Sequence, residues 1–271
     1  MQTLSADLIF ATAGAFLLLF SAFVPLERLF PARPGQRVFR PDWRSDCAYF
    51  LGQYLVWSSL AVLALSAIAL LCRWTVPAEF RAIVASQTWW LQAVEVIILC
   101  DLSVYWAHRL SHRVEFLWRF HSIHHTARHL DWLAAHREHP VDGIYTQMAV
   151  NLPAFILGFP LETIAGFIAF RGLWAIFIHS NVRVKLGPLR YFLGAPEFHH
   201  WHHELSRNSA CNFANLMPIL DVIFGTFYGP KDRYPEEFGI REYTPPGYFH
   251  QILHPFRKRT HAGNRRGVGG G

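Results

Sequence analysis

Thirteen of the sixteen histidines fall between His108 and His203, and eight of them form three spaced boxes: His108 with His112, His121 with His124 and His125, and His199 with His202 and His203. On a helix, residues three and four apart project from one face, so HxxxH presents two imidazoles to a common point and HxxHH presents three. A single box is compatible with ordinary hydrogen-bonded core histidines. Three boxes in one stretch indicate a metal centre. The donors are nitrogens without neighbouring thiolates, which suits zinc, iron, nickel or copper and argues against calcium or magnesium. Two more histidines join as candidate ligands: His139, whose ring is held at a set angle by Pro140, and His179, which closes an apolar run at the depth of the first box. A single catalytic zinc uses only about three protein ligands, so ten imidazoles imply two metals. Neutral ligands leave such a pair strongly positive and able to bind anionic oxygen species, which favours oxygen chemistry over hydrolysis.

The elements that must hold these residues are apolar. The 271-residue chain is 52% hydrophobic and 15% aromatic with only 16% charged residues, too greasy for an ordinary soluble domain. Leu8 to Leu26 and Cys47 to Cys72 are uncharged runs long enough to cross a bilayer. Trp89 to Ala107 is a third despite Glu95 and Asp101, and Gly143 to Ile178 has room for two short spans broken by Pro153, Pro160 and Arg171. The chain therefore reads as an all-α, polytopic membrane bundle of four to five spans, with a cytoplasmic helical cap around a histidine-rich dimetal site. No base precedes Arg28, so the first span is expected to remain as an anchor rather than act as a cleaved signal. The loop with Arg28, Arg33, Arg37, Arg40 and Arg44 outweighs the one with Arg73 and Arg81, which places the former in the cytoplasm. The N-terminus then lies outside, while the metal site and the C-terminus lie inside. Residues 1–230 are expected to form one membrane-embedded oxygenase domain, and 231–271 a partly disordered cytoplasmic tail.

Asp101, Tyr105, His108 and His112 share one helical face, so Asp101 is expected to orient a ligand imidazole, with Tyr105 beside it. His200 falls on a different face from its box neighbours and is assigned an outer contact. Glu95 is a possible partner for Arg171 within the bundle, and His250, His254 and His261 are expected at the surface. The four cysteines show no paired spacing and indicate neither disulfides nor a thiolate site. The net charge of +6 and the basic stretch Arg257 to Arg266 suit anionic lipid on the cytoplasmic leaflet rather than nucleic acid.

In their order, the boxes HRxxH, HxxHH, His-Pro, HxN and HxxHH, the Asp101-x-x-x-Tyr105-x-x-His108 approach, Asn212-Phe213 and Asp221-x-x-Phe224-Gly225-Thr226 resemble the fatty acid hydroxylase and sterol desaturase superfamily over roughly residues 40–230. The resemblance implies an integral membrane oxygenase with two iron ions, O2 as oxidant, and electrons from NAD(P)H through a separate reductase with a cytochrome or ferredoxin. It also brings in Asn181, Asn212 and Asp221 as supporting residues. Arg183 stands where hydroxylases with a further HxxxH box carry a histidine. The expected activity is hydroxylation or desaturation of a lipid C–H bond. Fatty acyl chains, sterols, sphingolipid-like amides and ether lipids all remain open as substrates, as does the oligomeric state. Zinc could occupy the same nitrogens in purified protein. The alternatives are a metal-dependent membrane hydrolase, with Glu138 or Glu204 as base, and a divalent-metal transporter or sensor.

Overall fold

The computed structural model describes residues 5–207, 210–230 and 233–257, and among these it is helical, with two isolated β-bridges and no strands. Helix α1 (Ala6–Leu29) starts where the Ser5 hydroxyl accepts the Leu8 N–H and ends with Arg28 in its last turn, as the helix dipole favours. Helices α2 (Trp43–Gly52) and α3 (Ser58–Thr75) form one rod of 33 residues, joined by a π-turn at Gln53–Trp57. Short α4 (Ala78–Ala85) leads into α5 (Trp89–Arg113). There follow α6 (Glu115–His121), α7 (Pro140–Ile156), α8 (Leu161–His179), α9 (Pro196–His202), α10 (Ile219–Ile223) and α11 (Tyr248–Leu253).

Four helices are long and apolar enough to cross a membrane: α1, the α2–α3 rod, α5 and α8. Phe10, Leu18, Leu63, Leu71 and Trp89 are exposed along them, an outward face suited to lipid. The stretch from Gly143 to Ile178 contains two helices, of which only α8 is such a span. Pro153 does not break α7 but lies inside it, while Pro160 separates the pair. The core packs between α3, α5, α7 and α8, where Val96, Cys100 and Val104 meet Val150, Ala154, Ile164 and Phe167. At 25 residues α5 is about 37 Å long. That exceeds the hydrocarbon thickness, so the helix carries the first histidine box on its own continuation.

Loops at the shared end of α5 and α8 are tied together by buried charge. Arg40 pairs with Asp131 at 2.6 Å and Asp46 at 2.7 Å, and Arg137 pairs with Asp46 at 2.6 Å. Glu27, at the end of α1, accepts the Trp132 N–H at 2.8 Å and the Asn181 N–H at 3.0 Å. The chain after residue 230, expected as a tail, packs back as far as it is described. Phe238 is buried and bridges to Glu204, and Gln251 accepts the Tyr49 hydroxyl at 2.9 Å. Lys258 to Gly271, with His261 and most of the basic stretch, lie outside the described residues.

Candidate metal centre

Nine histidines converge in two adjoining groups. His108, His112, His121, His125 and His202 form one, and His124, His179, His199 and His203 form the other, with the ligand atoms of each within 4.8 Å of one another. The groups touch through the stacked rings of His125 and His203, whose centroids are 4.4 Å apart. The C-terminal end of α5 supplies His108 and His112, and α6 with the turn after it supplies His121, His124 and His125. The last residue of α8 is His179, and α9 with its C-cap carries His199, His202 and His203. Every box position is thus brought in, together with His179.

The ring tautomers follow from the outer hydrogen bonds. His108 Nδ1 donates to the Phe213 carbonyl at 2.9 Å, His124 Nδ1 to Arg137 at 3.0 Å, His179 Nδ1 to Ala175 at 2.6 Å and His202 Nδ1 to Cys211 at 2.7 Å. His121 Nδ1 donates to the Asp142 carboxylate at 2.8 Å. A neutral imidazole that gives its proton through Nδ1 has a bare lone pair on Nε2. Yet His124 Nε2 and His179 Nε2 face each other at 3.0 Å, and His199 Nε2 lies 3.0 Å from His179 Nε2. His202 Nε2 is 3.2 Å from His125 Nε2. For His124 and His179, whose Nδ1 atoms both donate to carbonyls, lone pairs this close repel unless a cation sits between them. Two nitrogens sharing one ion, with bonds of about 2.1 Å, lie roughly 3.0–3.4 Å apart, and the observed spacing is of that size. The Nε2 atoms of His108 and His112 are also buried without a hydrogen-bond partner.

A shared proton does not explain the His124–His179 contact. Burial, reinforced by the surrounding imidazoles, holds His124, His125, His199, His202 and His203 well below their ordinary value of 6.5. They are neutral at pH 7, the form that binds metal. In the unfolded, metal-free chain the same rings protonate near 6.5, so the unfolded state binds more protons as pH falls. Stability is therefore full above about pH 7 and is lost as pH drops below about 6.5, with each imidazole contributing up to about 1.4 kcal/mol per unit. Urea midpoints of metal-free protein should decline through this window; a flat profile would contradict the neutral assignment.

His139 joins neither group. Its Nδ1 accepts the Val141 N–H at 3.1 Å as the N-cap of α7, and its Nε2 donates to the Ile252 carbonyl at 3.0 Å. Both ring nitrogens are engaged, so nine of the ten candidate histidines come together. The His-Pro pair that suggested a fixed imidazole is a helix start, with proline at its first position. His139→Ala should cost about 1 kcal/mol of stability through the lost cap and leave metal content unchanged, as checked by thermal denaturation and elemental analysis.

The supporting residues act at one remove. Asp101 accepts not from an imidazole but from the backbone N–H groups of Leu216 and Met217, at 2.9 and 2.8 Å. Asp221 accepts from Phe213, Ala214 and Thr226, and Asn212, at φ 59°, bonds Phe198 and Tyr228. Together they hold the loop whose Phe213 and Cys211 carbonyls orient His108 and His202. Tyr105 reaches Thr226 at 3.0 Å, and Asn181 receives the Arg33 N–H at 2.8 Å. His200 is buried against the Tyr234 hydroxyl and belongs to neither group. Glu95 accepts from Gln87 rather than from Arg171. Asp142 carried no signal in the sequence, since no helical repeat relates it to His121, 21 residues away. Neither Glu138 nor Glu204 enters the metal groups, which among the described residues contain histidine alone.

Two adjoining all-histidine groups at one end of a membrane bundle define a class of membrane protein able to bind metal. Residues 93–226 match the fatty acid hydroxylase family model, and this part of the chain is a fatty acid hydroxylase domain. The ornithine lipid hydroxylase OlsE of Rhizobium tropici is 25% identical over 266 residues, covering 96% of this chain and 78% of that protein. Alkylglycerol monooxygenase of Homo sapiens is 34% identical over 136 residues, 49% of this chain and 30% of that protein. Methylsterol monooxygenase 1-1 of Arabidopsis thaliana is 32% identical over 145 residues, 51% of this chain and 47% of that protein. The chain thus spans less than half the length of the latter two. No solved structure matches.

Proposed function

We propose that the protein is an O2-dependent lipid hydroxylase or desaturase with two iron ions, one held by His108, His112, His121, His125 and His202 and the other by His124, His179, His199 and His203. The facing Nε2 lone pairs of His124 and His179 at 3.0 Å carry this reading, because both rings give their proton outward through Nδ1 and a cation between them relieves the repulsion. Bound iron would supply the oxidising power for an unactivated C–H bond. The protein's residues do the rest: outer hydrogen bonds fix the rings of His108, His121, His124, His179 and His202, and the membrane helices exclude water and bring in the lipid sideways. Hydroxylation adds one oxygen atom to the lipid and releases the other as water, consuming two electrons and two protons. The electrons would come from NAD(P)H through a separate reductase and a cytochrome or ferredoxin, and the protons from NAD(P)H oxidation and water.

A hydrolase needs a carboxylate base beside its metal, and both metal groups consist of histidine. A transporter site belongs near the bilayer midplane, whereas these groups sit where α5 and α8 end. We place that end in the cytoplasm on the arginine-rich loop after α1, from which Arg33 and Arg40 pack into the same layer. Protein purified without oxygen should contain about two irons per chain. Lipid extracts from cells with and without it should differ by a gain of one oxygen or a loss of two hydrogens. One tightly held zinc with oxygen-independent ester hydrolysis would sink the proposal.

A further inference from the structure

Arg171 lies in the middle of α8 and is 8% exposed, buried where that helix packs against α5. Among the described residues it has no hydrogen bond and no ion pair, and its Nε is fully buried without a partner. A cation inside a membrane bundle is costly unless it is paired. The acidic groups acting on it favour its charge from a distance but none pairs with it. Both oxygens of Asp101 are taken by backbone N–H groups, and burial and Asp142 hold the Glu138 carboxyl up at about 8. One turn further along the same face, Trp174 Nε1 is also buried without an acceptor. Around them the bundle is apolar: Cys100, Phe167, Ile164 and Val104.

The two orphaned donors are placed relative to the metal groups by the helices that carry them. Arg171 precedes His179 on α8 by eight residues, and Cys100, its neighbour across the packing, precedes His108 on α5 by eight. Both intervals are about 12 Å along the helix axis. A guanidinium and an indole N–H on one face, in a dry setting, match a carboxylate or phosphate, which accepts from both. We propose that Arg171 and Trp174 seat an oxyanion of the lipid substrate, so that the protein takes acidic lipids and oxidises a carbon within about two to three helical turns of the anionic group. The proposal rests on the lipid-oxygenase reading for what happens to the bound molecule, but not for the binding itself.

The test uses metal-loaded protein in a neutral detergent and follows quenching of tryptophan fluorescence. One pair of probes is a brominated fatty acid and the matching brominated alcohol; the other is a brominated phosphatidic acid and the matching diacylglycerol. Wild-type protein should prefer the acid of at least one pair by about tenfold or more, as loss of a charged hydrogen bond implies, and the pair showing it tells carboxylate from phosphate. Arg171→Gln should bring acid and neutral partner to equal affinity, and Arg171→Lys should keep part of the preference. In lipid-free detergent Arg171→Gln should melt at the wild-type temperature or higher, because an unpaired buried charge has gone. Equal binding of acid and neutral probes by the wild type, a preference that survives Arg171→Gln, or a lowered melting temperature would each overturn the seat. Iron content and oxygen-dependent turnover, measured alongside, report separately on the oxygenase reading.

Discussion

His202→Ala is expected to empty the five-histidine group and abolish turnover, and His124→Ala to do the same to the four-histidine group. His202 lies 3.2 Å from His125 through Nε2 and is held by the Cys211 carbonyl, while His124 sits 3.0 Å from His179. Loss of an outer partner such as Asp142 costs roughly 10–100-fold in metal affinity, and loss of a ligand itself should exceed that. His200→Ala is the matched control, since His200 stands between ligands in the chain but points to Tyr234. It should retain both metals. Elemental analysis and turnover of the four proteins, with circular dichroism to show that the bundle persists, decide the matter. Full turnover in both His124→Ala and His202→Ala would refute the ligand assignment.

Asp46→Ala should be the most destabilising single change away from the metal groups. Asp46 is fully buried and pairs with Arg40 at 2.7 Å and Arg137 at 2.6 Å. Its removal strands Arg137 and leaves Arg40 with Asp131 alone, and breaking a buried pair in this way costs about 3–5 kcal/mol. The damage should spread to the metal centre, because the Arg137 carbonyl orients His124. Denaturation midpoints of the metal-free protein test the first effect, and iron retention during dialysis tests the second. A loss no greater than that of an exposed substitution would show that the network contributes little. Asp46→Asn keeps the shape while removing the charge, and should fall between wild type and Asp46→Ala.

The membrane helices were legible because hydrophobic runs need no partner to be read: about twenty apolar residues suit only a bilayer or a deep core. Their lengths were less so. Pro153 was expected to interrupt a helix and does not, whereas α5 runs past its apolar stretch to Arg113. The chain beyond residue 230 gave no periodic signal, yet Phe238 and Gln251 are buried on the cap. Single contacts of that kind have no repeat for a sequence to display.

For the candidate metal centre, the sequence by itself singled out the donor type and nearly all the histidines that come together, since helical spacing dictates which imidazoles share a face. His179 was also found, from its position at the end of an apolar run. What only the tertiary structure decided was the division into five and four, the exclusion of His139, and the true partners of Asp101. The reason is physical. Whether an imidazole binds metal depends on which ring nitrogen is free, and that is set by carbonyls and carboxylates far away in the chain: Asp142 for His121, Phe213 for His108, Ile252 for His139.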